Sequence, residues 1–221
     1  MFIGHFGLSF AAKKAAPKVS LGTLFIATQF VDILWPFLLV FHVEKMIIVP
    51  GYTKVNAFEF LYFPYTHSLL MGVVWGVIVG GLYWLLKKDT RGALIVGLCV
   101  LSHWFFDLVV HTADLPFTPF GDAKAGFGLW NNLAATLIVE TVIFLVGTYI
   151  YAAFTKAKNK TGTWVLWTLV ILLLVISAYN TFGPAPSPGI SLVSLLCSFM
   201  IMMALIIGLA YWADCNREPA L

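Results

Sequence analysis

Two histidines and one aspartate lie at helical spacing inside an apolar stretch of the sequence. In SHWFFDLVVH, residues 102–111, His103, Asp107 and His111 follow one another at intervals of four residues. At about 100° per residue, a helix places these three side chains within about 80° of one another. Imidazole and carboxylate groups are ligands of zinc and similar divalent ions. The spacing therefore predicts a helix face that can bind a metal ion.

Four more ionisable side chains fall in apolar segments: His5 in MFIGHFGLSFAA, Asp32 in ATQFVDILWP, His67 in YTHSLL and Glu140 in TLIVETV. In hydrocarbon such a group costs at least a few kcal/mol, so it usually faces a bundle interior and has a function. No lysine or arginine lies in those segments at the same depth, which argues against a purely structural ion pair. A metal ion would compensate the buried carboxylates.

The composition defines the setting of these residues. Of 221 residues, 61% are hydrophobic and only 10% are charged, with a net charge of +3. A soluble domain carries about 25% charged residues, so the composition predicts an all-α, polytopic membrane protein. Because the basic residues occur in short clusters rather than a broad patch, we expect membrane lipid as a partner and no nucleic acid.

The apolar stretches are long enough to span a bilayer about six times. They cover residues 20–42, 67–86, 91–112, 130–154, 163–182 and 189–213. We expect one transmembrane domain over residues 1–221, with the first twelve residues forming a short interfacial or re-entrant helix. The lysine and arginine clusters fall before the first span, between the second and third, and between the fourth and fifth. This distribution predicts that both termini are cytoplasmic.

The depth of each polar residue can be counted from the nearest basic boundary at about 1.5 Å per residue. His5 falls at about 12 Å, His103 at about 18 Å, Asp32 at about 21 Å, Asp107 and Glu140 at about 24 Å, and His67 and His111 at about 30 Å. Ionisable residues from several predicted helices thus lie within one range of depths in the bilayer. We expect Asp32, His67, His103 and Asp107 to bind the metal with His5 as a further ligand, and Glu140 or His111 to act as general base.

The order of these motifs resembles a known family. GH near the N-terminus, FVDILWP in the first span, THSLL opening the next helix and SHWFFD on the following one resemble the bacterial membrane-bound metal-dependent hydrolases related to a LexA-regulated inner-membrane protein. The HxxxD helix is also similar to that of zinc-dependent phospholipase C and P1-type nucleases, which hydrolyse phosphate esters. The resemblance implies a hydrolase in the bacterial inner membrane.

Two functions are consistent with this pattern. The first is a membrane-embedded metal-dependent hydrolase, with zinc as the expected metal and a phosphate ester of a lipid or lipid-linked molecule as substrate. The second is a divalent-cation or proton-coupled transporter, which would also line its midplane with histidines and carboxylates. The lack of an inverted repeat in the sequence, and a polar band that stops short of the inner surface, favour the hydrolase.

Overall fold

The computed structural model describes residues 1–220 and is mostly helical. Over that range the α-helices are α1 Ile3–Ala15, α2 Leu21–Thr28, α3 Phe30–Val40, α4 Pro64–His67, α5 Leu69–Lys87, α6 Thr90–Val110, α7 Leu133–Phe154, α8 Lys160–Phe182 and α9 Leu192–Cys215. The strands are β1 Lys45–Ile48, β2 Phe58–Tyr62, β3 Leu115–Pro116, β4 Lys124–Ala125, β5 Thr155–Ala157 and β6 Arg217–Pro219. They pair as three antiparallel two-stranded ribbons, β1–β2, β3–β4 and β5–β6.

The predicted helical membrane fold is confirmed. Within the described residues, α5 to α9 give five helices long and apolar enough to cross a membrane, and α2 with α3, bent by 50°, brings the number to six if the pair is counted as one span. The bend occurs at Gln29, between the two helices. The single domain predicted over residues 1–221 stays a prediction, and its last residue, Leu221, lies outside the described part.

Side chains that accept hydrogen bonds define where most of the spans begin. Ser20, Ser68, Asp89, Asn132 and Asn159 each precede a helix and accept a hydrogen bond from a backbone N–H in its first turn. These residue types are preferred at this position because they satisfy N–H groups that have no partner within the helix. The long apolar runs therefore become separate helices with defined starts.

Helix α1 packs inside the helix bundle rather than on its surface. Of the two placements expected for the N-terminal segment, this position fits the re-entrant helix and not the interfacial one. Phe6 and Phe10 are fully buried in the core, where Phe10 packs against Phe144 and Tyr151 of α7. A Cβ atom at Gly147 of α7 would collide with the backbone carbonyl of Gly7. Only glycine at this position lets the two backbones approach so closely.

The basic segments gather at one end of the bundle. Lys13, at the end of α1, pairs with Asp214 near the end of α9 at 2.7 Å. Arg91, at the start of α6, donates to the Ala15 carbonyl at 2.6 Å, and Lys158 donates to the Cys215 carbonyl at 3.0 Å. The distribution of basic residues in the sequence thus corresponds to one physical end of the protein. Its cytoplasmic location stays a prediction.

Candidate metal centre

Asp107 on α6 lies at the centre of a buried cluster of histidines. Its Oδ2 atom is 3.1 Å from Nε2 of His103, 3.6 Å from Nε2 of His111 and 3.9 Å from Nε2 of His67. Its Oδ1 atom is 3.1 Å from Nε2 of His5. Three helices and the residue after α6 therefore bring four imidazoles to one carboxylate, all of them at most 5% exposed.

Asp32 on α3 supplies the second carboxylate and the most exposed part of the cluster. Its Oδ1 atom lies 3.2 Å from Nε2 of His67 and 3.5 Å from Nε2 of His103. About a quarter of its side chain (26%) is exposed, whereas Asp107 exposes 3%. The cluster is thus most accessible on the side of α3.

Acceptors outside the cluster orient two of the histidines. Nδ1 of His103 lies 2.7 Å from the carbonyl oxygen of Thr28, and Nδ1 of His111 lies 3.0 Å from Oδ1 of Asp114. Because a carbonyl or carboxylate oxygen can only accept, each Nδ1 must carry the proton. In the neutral imidazole, Nε2 then presents a lone pair toward the cluster, which is the arrangement typical of metal-binding histidines.

His67 is held by a chain of two side chains, those of Thr66 and Glu44. Oγ1 of Thr66 lies 2.6 Å from Nδ1 of His67 and donates to Oε2 of Glu44 at 2.7 Å. Oε1 of Glu44 accepts from the backbone N–H groups of Tyr65 and Thr66. Since the single hydroxyl proton of Thr66 goes to the carboxylate, the hydroxyl oxygen accepts from His67. Glu44 is 1% exposed, and burial raises the pKa of its carboxyl above the ordinary value.

His5 enters the cluster from α1. Its ring stacks on that of His103, with 3.9 Å between the centroids and 8° between the planes. Among residues 1–220, Nδ1 of His5 and Nε2 of His103 are buried without a hydrogen-bond partner. The amino group of Met1 also lies 2.6 Å from Oδ1 of Asp107.

Glu140 is buried beside the start of α1. Its Oε2 atom accepts hydrogen bonds from the backbone N–H groups of Phe2 at 2.8 Å and Gly4 at 3.5 Å. A carboxylate in this position satisfies free N–H groups at a helix N-terminus and interacts favourably with the helix dipole. These contacts of Glu140 thus connect α7 to α1.

Aromatic rings cover the histidines on the side of the β1–β2 ribbon. Phe60 on β2 lies 5.1 Å from His111 and 5.4 Å from Trp35, measured between ring centroids. Trp35 also packs edge-on to His67 at 6.3 Å, and Trp130 lies 4.4 Å from His111. These rings exclude water from one side of the cluster and strengthen the electrostatic interactions inside it.

The donor set fits a divalent metal ion. One ligand atom each from His5, His103 and Asp107 lie within 4.8 Å of one another, and so do those from Asp32, His67 and His103. Nitrogen and carboxylate oxygen are the ligands that zinc prefers, in sets of three protein ligands for a catalytic site. Imidazole lone pairs that face carboxylate oxygens are mutually repulsive unless a metal ion or a proton lies between them.

Some residues around the cluster were not found from the sequence. Asp114, in the loop after α6, binds the ring of His111 and has its side chain 13% exposed. Glu44, Thr66 and Thr28 had no role assigned, although Thr66 directly precedes a predicted ligand. Glu44 sits beside the exposed His42 in a loop, where no helical periodicity marks a buried residue.

The fold defines the class of the protein: it is an integral membrane protein with histidines and carboxylates buried between its helices. A sequence model described as the YdjM inner membrane protein family matches residues 55–183, more than half of the chain, and the chain therefore belongs to that family. No curated protein and no solved structure matches it. The bacterial membrane family expected from THSLL and SHWFFD is thus confirmed, and the match includes His67, His103 and Asp107.

Proposed function

We propose that this protein is a membrane-embedded metal-dependent hydrolase that acts on a phosphate ester of a lipid or lipid-linked molecule. The orientation of His67, His103 and His111 carries the proposal. Each ring has its Nδ1 atom at an acceptor and its Nε2 atom toward the two aspartates. Such outer hydrogen bonds fix the tautomer and raise the basicity of metal-binding histidines.

The residues divide into ligands, a base and a helix anchor. His5, Asp32, His67, His103 and Asp107 would hold the metal. When bound, the metal supplies Lewis-acid activation of water and of the scissile group.

The two residues expected to act as general base differ in their surroundings. His111 is paired through Nδ1 with Asp114, and its Nε2 atom faces the cluster. This is the arrangement of a base that is oriented by a carboxylate. Oε2 of Glu140 is engaged by the backbone at the start of α1. We therefore assign the base to His111 and assign to Glu140 the positioning of α1, and through it of His5.

The surroundings of Asp32 support a substrate that arrives from the lipid. Asp32 lies on α3, the second helix of the bent pair, and its side chain is more exposed than that of Asp107. The neighbouring Ile33 and Leu34 are only partly buried, so apolar surface adjoins the accessible edge of the cluster. A lipid-linked substrate can keep its apolar part in the bilayer while its ester reaches Asp32.

A second candidate is a divalent-cation or proton-coupled carrier, and the break between α2 and α3 favours it. Broken transmembrane helices commonly form ion sites in transporters. Here the span bends by 50° at Gln29, directly after the Thr28 carbonyl that binds His103. Uptake of zinc into proteoliposomes, measured beside hydrolysis of a phosphate ester, separates the two functions.

Metal analysis of the purified protein tests the shared part of both candidates. We expect at least one equivalent of zinc or a similar divalent ion after purification without chelator, and a loss of it in His103→Ala and His5→Ala. Asp122→Asn is the matched control, because Asp122 lies in an exposed loop. Less than about a tenth of an equivalent in the wild type would contradict a metal centre.

A further inference from the structure

Two buried hydrogen-bond donors without partners lie on either side of Asp32. Within residues 1–220, five buried side-chain atoms lack a hydrogen-bond partner: His5 Nδ1, Gln29 Nε2, Trp35 Nε1, His103 Nε2 and Thr148 Oγ1. Two belong to the cluster itself, and two, on Gln29 just before α3 and Trp35 on α3, lie three residues from Asp32 along the chain. Since buried polar groups are nearly always satisfied, such a concentration at one place indicates a ligand.

The first two turns of α3 bring these donors close to Asp32. Gln29 caps α3, its carbonyl accepts from the N–H of Ile33, and it precedes Asp32 by three residues; Trp35 follows Asp32 by three residues on the helix, where residues three apart are neighbours. Gln29 is 2% exposed and lies at the bend of the span. The ring of Trp35 packs against His67 and Phe60, which fixes its position.

We propose that the side chains of Gln29 and Trp35 form an oxyanion-binding subsite that binds the phosphoryl oxygens of the ligand beside Asp32. This inference rests on the proposed function and extends it to residues that are not metal ligands. The indole N–H can only donate, and a phosphoryl group offers several acceptor oxygens. Hydrogen bonds from such donors to a charged group are among the strong ones.

The subsite can be tested by binding measurements on the full chain in detergent, loaded with zinc. Trp35→Phe keeps an aromatic ring but removes the N–H, and Gln29→Leu removes the amide at similar volume. We expect each to weaken binding of inorganic phosphate, measured by calorimetry, by about tenfold. Trp75→Phe is the control, because its indole N–H already donates to the Tyr65 carbonyl at 2.8 Å.

A second arm uses a short-chain phosphatidic acid in mixed micelles. If Trp35→Phe and Gln29→Leu weaken the binding of both probes, the subsite binds the phosphoryl group of free phosphate and of a lipid alike. If they weaken the binding of the lipid alone, the subsite is specific for a lipid headgroup. Unchanged affinity for both probes in Trp35→Phe and Gln29→Leu, or no binding of either probe to the wild type, would overturn the subsite. Metal content is measured in the same samples, so loss of the subsite is distinguished from failure of the metal centre.

Thermal unfolding without ligand gives an independent readout. Because the N–H of Trp35 has no partner within the described part of the chain, Trp35→Phe removes no hydrogen bond. Both variants lose the same part of a packed ring, but only Trp75→Phe also loses a hydrogen bond, so we expect Trp35→Phe to lower the melting temperature less than Trp75→Phe does. A lower melting temperature in Trp35→Phe than in Trp75→Phe would contradict an unused donor.

Discussion

Replacing Thr66 by valine should weaken metal binding without removing any ligand. The hydroxyl of Thr66 connects Nδ1 of His67, at 2.6 Å, to Oε2 of Glu44, at 2.7 Å. Valine has the same shape but cannot accept or donate, so the N–H of His67 and one oxygen of Glu44 lose a buried partner. The ring of His67 then has no group that fixes its tautomer.

The expected magnitude follows from these two hydrogen bonds. Loss of a residue that orients a metal ligand typically lowers metal affinity by about 10- to 100-fold, or about 1.4–2.7 kcal/mol. Leaving a buried donor unsatisfied should also lower the free energy of unfolding by about 1–3 kcal/mol. Glu44 keeps its two backbone donors, Tyr65 and Thr66, so we expect the loop to stay folded.

The assay is competition for zinc with a chromophoric chelator, together with thermal unfolding of the metal-free protein. Thr66→Ser should restore the affinity because it restores the hydroxyl. Thr136→Val is the matched control: Thr136 is 2% exposed and donates to the Leu129 carbonyl at 2.7 Å, at the start of α7. It should lower stability but not zinc affinity. A zinc affinity of Thr66→Val within about twofold of the wild type would refute the orienting role.

Three further results are expected. Reporter fusions in the α5–α6 turn and in the α8–α9 loop should lie on opposite sides of the membrane, and the same side for both would contradict a crossing by each of α6, α7 and α8. Asp107→Asn should lower metal content strongly because it removes the charge that four histidines face, whereas Asp122→Asn in an exposed loop should not; equal metal contents would contradict this. Gly147→Leu should reduce the yield of folded protein, since its Cβ would meet the α1 backbone, while Gly208→Leu, which has open space, should be tolerated.

The spans and the cluster could be predicted because both depend on regular geometry. A stretch of about 20 apolar residues has few alternatives to a membrane helix. The stripe of His103, Asp107 and His111 follows from helical spacing alone, and counting residues from the basic boundaries placed Asp32 and His67 at similar depth. In the structure, the three histidines among these five residues lie within hydrogen-bonding or ion-pair distance of Asp107, and two of them also lie that close to Asp32.

The groups that orient the histidines could not be predicted in the same way. Glu44 lies in a loop, and Asp114 follows the end of α6, where the chain has no fixed period. The partner of His103 is a backbone carbonyl, at Thr28, which every residue possesses. Such contacts depend on how the span bends at Gln29 and on how the β1–β2 ribbon packs, and neither is determined by local spacing.

The observed position of His5 differs from the depth counted along the sequence, and helix packing explains the difference. Counting along an upright α1 leaves His5 about 6 Å short of His103, yet the two rings stack at 3.9 Å. The count assumes that Lys13 and Arg91 lie at one level, whereas Lys13 is drawn into the bundle, where it is 6% exposed and bonded to Asp214. Gly7 lets α1 sit directly on the backbone of α7. The position of His5 thus depends on contacts at the opposite end of its helix, so Asp214→Asn should lower zinc content together with stability, although Asp214 lies far along the chain from every metal ligand.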